Sequence, residues 1–193
     1  MTDPVLFALA VLALLATPGP TNTLLATAGA TSGFFGALRL IPAEGAGYLI
    51  AITLLGLVLG PVVAASPALG VALRLTVGIY LLHVAFKLWR GAGAGQGAEP
   101  AVITPGRIFL TTLLNPKAVI FALGIVPLQA EDGLLYLAGF ATLAAGVATA
   151  WIAVGALMGR AAAAGGRSGL VPRIGAAAVS AFAVMLLASP LLR

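Results

Sequence analysis

The chain has 193 residues, 61% of them hydrophobic and 8% charged, against roughly 25% charged in soluble domains. With a mean hydropathy of +1.14, it has too little polar surface to cover a soluble fold and is not disordered. The absence of cysteine excludes disulfide staples, thiolate zinc sites and a transmembrane thiol carrier. The net charge of +5 does not indicate nucleic acid, because ten basic residues scattered among apolar runs form no binding stripe. What remains is a polytopic protein of the lipid bilayer, whose basic excess reports orientation.

No charge lies between Asp3 and Arg39, Glu44 and Arg74, Asp132 and Arg160, or Arg173 and Arg193. Each interval holds an apolar run of the ~20 residues that cross a hydrocarbon core. Two further runs carry a basic residue. The expected spans are 5–27, 37–59, 70–89, 106–127, 134–158 and 174–192. The start, MTDPVLFALAVLALLATPGP, lacks a basic leader and an A-x-A cleavage site, so it reads as a retained helix. Thr31-Ser32-Gly33 reads as a short loop, and Gly60-Pro61 through Ser66-Pro67 as a turn. The glycine-rich stretch from Gly91 to Pro100 opens a flexible linker, 91–105, that separates residues 1–90 from 106–193. Each part holds three spans. Three is odd, so the second set must run opposite to the first. The expected fold is therefore all-α integral membrane, with six transmembrane helices as two inverted three-helix repeats. The halves share no visible sequence likeness, so this repeat rests on geometry alone.

Orientation follows from the basic residues. Arg39, Lys87, Arg90, Arg107, Arg160, Arg167 and Arg173 fall on one side, Arg74 and Arg193 on the other. Seven against two places the linker in the cytoplasm and both termini outside. Lys117 lies inside a span and is not counted.

Prolines interrupt the first span of each half. The first holds Thr17-Pro18-Gly19-Pro20-Thr21-Asn22, the fourth Asn115-Pro116-Lys117. Proline removes an amide donor and clashes with the carbonyl four residues earlier. Breaks at matching positions of two halves point to a transporter's binding site. A kink made for packing is the plainer alternative. The freed groups can meet a polar solute, or are met by Thr17, Thr21, Asn22 and Asn115.

Pro18-Gly19-Pro20-Thr-Asn22-Thr-Leu-Leu resembles the first-helix signature of the LysE/RhtB amino-acid exporters. The segment Gly78-Ile-Tyr80-Leu-Leu-His83-Val-Ala-Phe86-Lys87-Leu-Trp89-Arg90 resembles their third helix with its basic end. The segment Phe109-Leu-Thr-Thr-Leu-Leu-Asn115-Pro116-Lys117-Ala-Val-Ile-Phe121, with Pro127 beyond it, resembles their fourth-helix N-P-K motif. Order and spacing agree from about residue 7 to 128. The resemblance implies an exporter of amino acids or similar metabolites in a bacterial inner membrane, driven by the proton motive force. There are departures. Thr21 separates the P-G-P from Asn22. Tyr48 follows Gly47 where many members carry an acid, and Glu44 lies one turn earlier. His83 stands where an aromatic is commoner.

Among single residues, Glu44 lies about seven residues into its span, too deep for its short side chain to reach the headgroups. A charge near a helix centre costs roughly 2.5–3.5 kcal/mol, so it pairs, binds or carries protons. The alternative is a structural hydrogen-bonding role. Tyr48 is one turn away on the same face. Lys117 either snorkels, pairs with Glu44 or holds an anionic group. His83 shares a helical stripe with Thr76, Tyr80 and Lys87, which lines a path or packs between helices. Its imidazole fits a proton relay or a satisfied structural role. One histidine, no cysteine and one membrane carboxylate make a poor site for transition metals, and no metal is expected. No cofactor is expected. Gly56-xxx-Gly60 and Gly155-xxx-Gly159 allow close helix packing.

These readings combine into a secondary transporter that exports a small solute by alternating access. The expected substrate-binding or proton-coupling residues are Thr17, Pro18, Gly19, Pro20, Asn22, Glu44, Tyr48, Tyr80, His83, Asn115, Pro116 and Lys117. The expected partners are an amino acid or similar solute, protons and the bilayer, and a homo-oligomer stays open. The alternatives are a membrane scaffold that transports nothing and a membrane enzyme. No G-x-S-x-G, P-loop or H-E-x-x-H motif supports the enzyme.

Overall fold

The computed structural model describes residues 3–59, 66–93, 102–165 and 170–188. Among them the chain is helical without strands. In order come α1 (Pro4–Ala16), α2 (Pro20–Leu38), α3 (Ile41–Leu54), α4 (Pro67–Gly93), α5 (Pro105–Leu113), α6 (Pro116–Ile120), α7 (Gly133–Ala164) and α8 (Leu170–Ala188). Single π-helical segments, Leu55–Leu59 and Phe121–Ile125, extend α3 and α6. Prolines start five of these helices. At a first helical position the missing amide would be unpaired anyway, so proline there costs nothing and fixes φ. The same prolines that interrupt the expected first and fourth spans therefore start the next helices, at Pro20 and Pro116.

Among the described residues, two helices are long and apolar enough to cross a membrane, Ile41–Val58 and Gly133–Ala164. The α1–α2 pair bends by 64° and the α5–α6 pair by 47°; counting each pair as one span gives up to four. The expected loop at Thr31-Ser32-Gly33 narrows to one residue. Gly33 has φ +73°, a left-handed conformation that glycine adopts without steric cost, and helix resumes beyond it to Leu38. The second span starts at Ile41 rather than 37, because Pro42 cannot continue a helix running through Arg39–Leu40. Glu44 then falls in the first turn of α3. Helix α4 runs on to Gly93 and α5 begins at Pro105, so helix enters both ends of the expected linker; residues 94–101 lie outside the described residues.

The interior is built in two apolar layers. One gathers Leu24, Ala28, Leu40, Leu81, Leu88, Ile108, Ala148, Ile152 and Val179. The other gathers Phe7, Val11, Leu15, Tyr48, Ala118, Phe121, Phe140 and Ala144. Five stretches of chain pass from one layer to the other: Leu15 to Leu24, Leu40 to Tyr48, Ile108 to Ala118, Ala144 to Ala148, and Ile52 to Leu81. The first and third contain the two breaks, and the second contains Glu44. Outside, large apolar side chains stand exposed along the helices, among them Leu9, Phe35, Leu57, Ile79, Leu123, Leu134 and Leu157. An apolar exterior around polar interior groups suits hydrocarbon as solvent.

The tightest packing is α2 against α7, followed by α4 against α8 and α3 against α5. Glycine makes the first possible. A Cβ on Gly29 would collide with the Ile152 carbonyl, and Cβ atoms on Gly155 and Gly159 with the carbonyls of Ala26 and Ala30. This is the close approach expected of Gly155-xxx-Gly159. Gly56 lies against Leu128, while Gly60 is outside the described residues.

Gly155→Val should cost roughly 2 kcal/mol or more, because rigid backbone leaves its methyl groups nowhere to go. Gly146 has open space around its Cβ direction, so Gly146→Ala should be neutral or stabilise by up to about 1 kcal/mol. Thermal melts in detergent compare the two. Equal melting temperatures would contradict the close α2–α7 contact.

A polar layer at the two helix breaks

At the first break, α1 ends at Ala16 and Thr17 turns extended. Pro18 has no amide for the Leu14 carbonyl four residues earlier. That carbonyl instead accepts from Thr17 Oγ1 at 2.6 Å and from Lys117 Nζ at 2.9 Å. The Thr17 carbonyl accepts from the same Lys117 Nζ at 2.5 Å and from Asn22 Nδ2 at 3.0 Å. Asn22 Nδ2 also donates to the Leu15 carbonyl at 2.6 Å. One amide and one ammonium thus meet carbonyls that the break in the helix leaves without helical donors. Lys117 reaches the break over Gly19, where a Cβ would lie 3.2 Å from its Cε and 3.3 Å from its Nζ.

At the second break, Asn115 is extended and caps α6, its Oδ1 accepting from the Lys117 backbone amide at 3.0 Å. Asn115 Nδ2 donates to Thr21 Oγ1 at 3.1 Å and to the Tyr48 hydroxyl at 3.3 Å. Thr112 Oγ1 donates to Thr21 Oγ1 at 3.3 Å. Beside it, the Thr111 and Tyr80 hydroxyls share a hydrogen bond of 3.0 Å. Thr21, Asn22, Glu44, Thr111, Thr112, Asn115 and Lys117 are all buried. Tyr48 continues the layer into an apolar wall, meeting Phe121 and Phe140 edge-to-face at centroid distances of 5.8 and 5.5 Å.

Two opposite charges stand in this layer. Glu44 is 2% exposed and Lys117 6%. The first turn of a helix favours a carboxylate through its unpaired amides and dipole, which suits Glu44. The Lys117 ammonium is the charge whose field reaches Glu44. Yet Glu44 Oε2 accepts no hydrogen bond from any described residue. Gly47, one turn on, brings α3 tight against α5; a Cβ there would lie 2.9 Å from the Phe109 carbonyl and from Thr112 Cβ.

Of the residues singled out in the sequence, Thr17, Pro18, Gly19, Pro20, Asn22, Tyr48, Asn115, Pro116 and Lys117 meet at this junction, with Glu44 beside them. Tyr80 joins through Thr111. His83 does not join: it lies on an exposed face of α4, as does Lys87. Thr111, Thr112 and the carbonyls of Leu14 and Leu15 take part without having been singled out. A sequence signal existed for one of them: Leu14 stands four residues before Pro18, where a helical carbonyl loses its donor. The layer offers fixed carbonyl acceptors, hydroxyl and amide groups, one carboxylate and one ammonium. It can hold a polar solute or exchange a proton. No group of three or more His, Cys, Asp or Glu side chains suited to a metal occurs among the described residues.

The model of one protein family, described as LysE type translocator, matches residues 12–193, a stretch that contains both breaks. No curated protein and no solved structure matches the chain.

Asn115→Ala removes the α6 cap and leaves Thr21 and Tyr48 short of a partner. It should destabilise the protein by about 1–3 kcal/mol. Tyr48→Phe removes one weak bond and should cost under about 1.5 kcal/mol. Melting temperatures in detergent should fall in that order; the reverse order would remove Asn115 from the centre of the network.

Proposed function

The chain belongs to the LysE type translocator family, membrane transporters rather than enzymes, and on that footing we propose that it exports amino acids or related small metabolites. In this reading the export crosses a bacterial inner membrane, is driven by the proton motive force and proceeds by alternating access. One observation supports it above the others: the breaks at Pro18–Pro20 and at Asn115–Pro116 face each other in a buried polar layer. Discontinuous helices meeting near mid-membrane are where such transporters hold solute.

The pattern of packing favours the inverted repeat. Helix α7 lies on α1 and α2, as α3 lies on α5 and α6. Helix α4 pairs with α8. These are the partnerships a two-fold axis in the membrane plane would exchange. The six proposed spans are then α1–α2, α3, α4, α5–α6, α7 and α8, with both termini outside. Within the layer, Glu44 is proposed as the acid that couples export to protons or faces the solute amine, and Lys117 as its counter-charge. Tyr48, Asn115, Thr17 and Asn22 hold the breaks open. Tyr80 borders the layer from α4. His83, standing on an exposed face, is the weakest of the proposed residues.

Glu44→Gln keeps the shape and removes the charge. It should abolish energised export of a labelled amino-acid panel from cells while protein levels stay normal. Normal export with unchanged pH dependence would sink the assignment.

The orientation has its own test. Single cysteines at Gly95 and Ser168, both outside the described residues, should resist an impermeant thiol reagent in intact cells. One at Gly133 should react. The chain has no native cysteine to interfere. Labelling of the Gly95 position from outside would invert the topology.

A further inference from the structure

We propose that the carbonyl oxygens of Leu14 and Thr17 are the subsite for a primary ammonium group of the exported solute, filled in this structure by the Lys117 ammonium. The solute in this statement rests on the export reading above; the subsite rests on the geometry of the break. Two oxygens, one freed by Pro18, converge at the C-terminal end of α1, the negative end of its dipole. Carbonyls left over at a broken half-helix are cation ligands. Their present occupant is an ammonium on a flexible stem from the other half. That stem passes over Gly19, where a Cβ would crowd it at 3.2 Å from Cε and 3.3 Å from Nζ. A lysine head group has the same donor geometry as the amine of any small primary ammonium compound, so it can stand in for one.

A stand-in must have somewhere to go when the solute arrives. Glu44 Oε2 is that place. It is buried, accepts no hydrogen bond from the described residues, and lies within the field of Lys117. A buried carboxylate oxygen without a donor is costly, and charge-assisted hydrogen bonds are the strong ones. Lys117 thus has two acceptor sites and one ammonium. With the ammonium on the carbonyls, the first break is tied to the second half. With it on Glu44, the carbonyls are open to a solute amine and the tie is released. Thr17 Oγ1 still donates to the Leu14 carbonyl in either case, and Asn22 Nδ2 to that of Thr17. The subsite therefore keeps its shape as its occupant changes. It selects by N–H count: an ammonium with two or more free N–H groups bridges both oxygens, whereas a quaternary ammonium offers none.

The test is full-length Lys117→Ala, purified in detergent. Methylammonium and ethylammonium should raise its melting temperature saturably, by about 3–5 °C at ten times Kd. The wild-type shift should be less than half of that, because Lys117 competes. Tetramethylammonium, sodium and potassium at equal ionic strength should leave the variant unshifted. No shift with methylammonium, or an equal shift with tetramethylammonium, overturns the subsite. A shift with sodium alone overturns the ammonium in favour of a metal cation. If Lys117→Ala does not survive purification without ligand, recovery of monodisperse protein is the readout. Methylammonium should then raise it several-fold over tetramethylammonium, and equal recovery overturns the proposal. None of these measurements involves transport, so a failed export assay and a failed subsite are told apart.

Discussion

Everything at the centre of this protein follows from carbonyl groups that have lost their helical donors. In water such groups would be hydrated at little cost. In hydrocarbon each must be met from within the protein, or it costs several kcal/mol. Pro18 and Pro20 create the problem in the first half. Lys117 Nζ and Asn22 Nδ2 answer it at the carbonyls of Leu14, Leu15 and Thr17. Lys117 comes from the second half, where Pro116 forces an extended Asn115 that caps the next helix and reaches back to Thr21 of the first. Each break is thus completed partly by the other half. Once the prolines are in place, the positions of Asn22, Asn115, Lys117 and Gly19 are no longer free choices.

The two apolar layers make this arrangement sharper. Leu15, Tyr48 and Ala118 belong to one, Leu24, Leu40 and Ile108 to the other. The polar groups occupy the thin interval between them, where the effective dielectric is low and every charge interacts strongly with its neighbours. Glu44 could be tolerated there as a satisfied structural group, but one of its oxygens has no donor. A fold optimised for stability alone would fill that position with a well-packed apolar residue. The strain is concentrated where the layer also holds its one buried ammonium.

Much of this was legible in the sequence, for identifiable reasons. Prolines act locally, so both breaks could be placed from residue type and spacing. Charge was equally legible: Glu44 and Lys117 stand out because the apolar runs around them are long. The helical character and the glycine contact at Gly155-xxx-Gly159 followed from composition and period. Helix ends were less legible. Gly33 alone turns the chain where a three-residue loop was expected, and Pro42 delays α3 to Ile41, both being backbone effects that hydropathy does not see. The exposed position of His83 was not legible at all, because the Thr76–Tyr80–His83–Lys87 stripe is wide enough that Tyr80 can face Thr111 while His83 faces outward. Thr111 and Thr112 were hidden by looking for side chains at the proline rather than one turn before it.

The cross-bonding of the halves bears on how such a structure could move. If the halves rock against each other in the proposed transport cycle, the bonds crossing between them cannot all survive. Those within a half can: Asn22 to the Thr17 carbonyl, and Asn115 to the Lys117 amide. The crossing bonds are of two kinds. Asn115 and Thr112 reach Thr21, Asn115 reaches Tyr48, and Thr111 meets Tyr80 through neutral hydrogen bonds of 3.0 to 3.3 Å, each worth on the order of 1 kcal/mol net. Lys117 makes charge-assisted bonds to two carbonyls, roughly twice as strong each. A motion that separates the halves at this level is therefore opposed by Lys117 alone about as much as by the four neutral bonds together. Whatever changes the partner of Lys117 changes the energy of that motion most, which places control of the movement at the same atoms that would contact the solute.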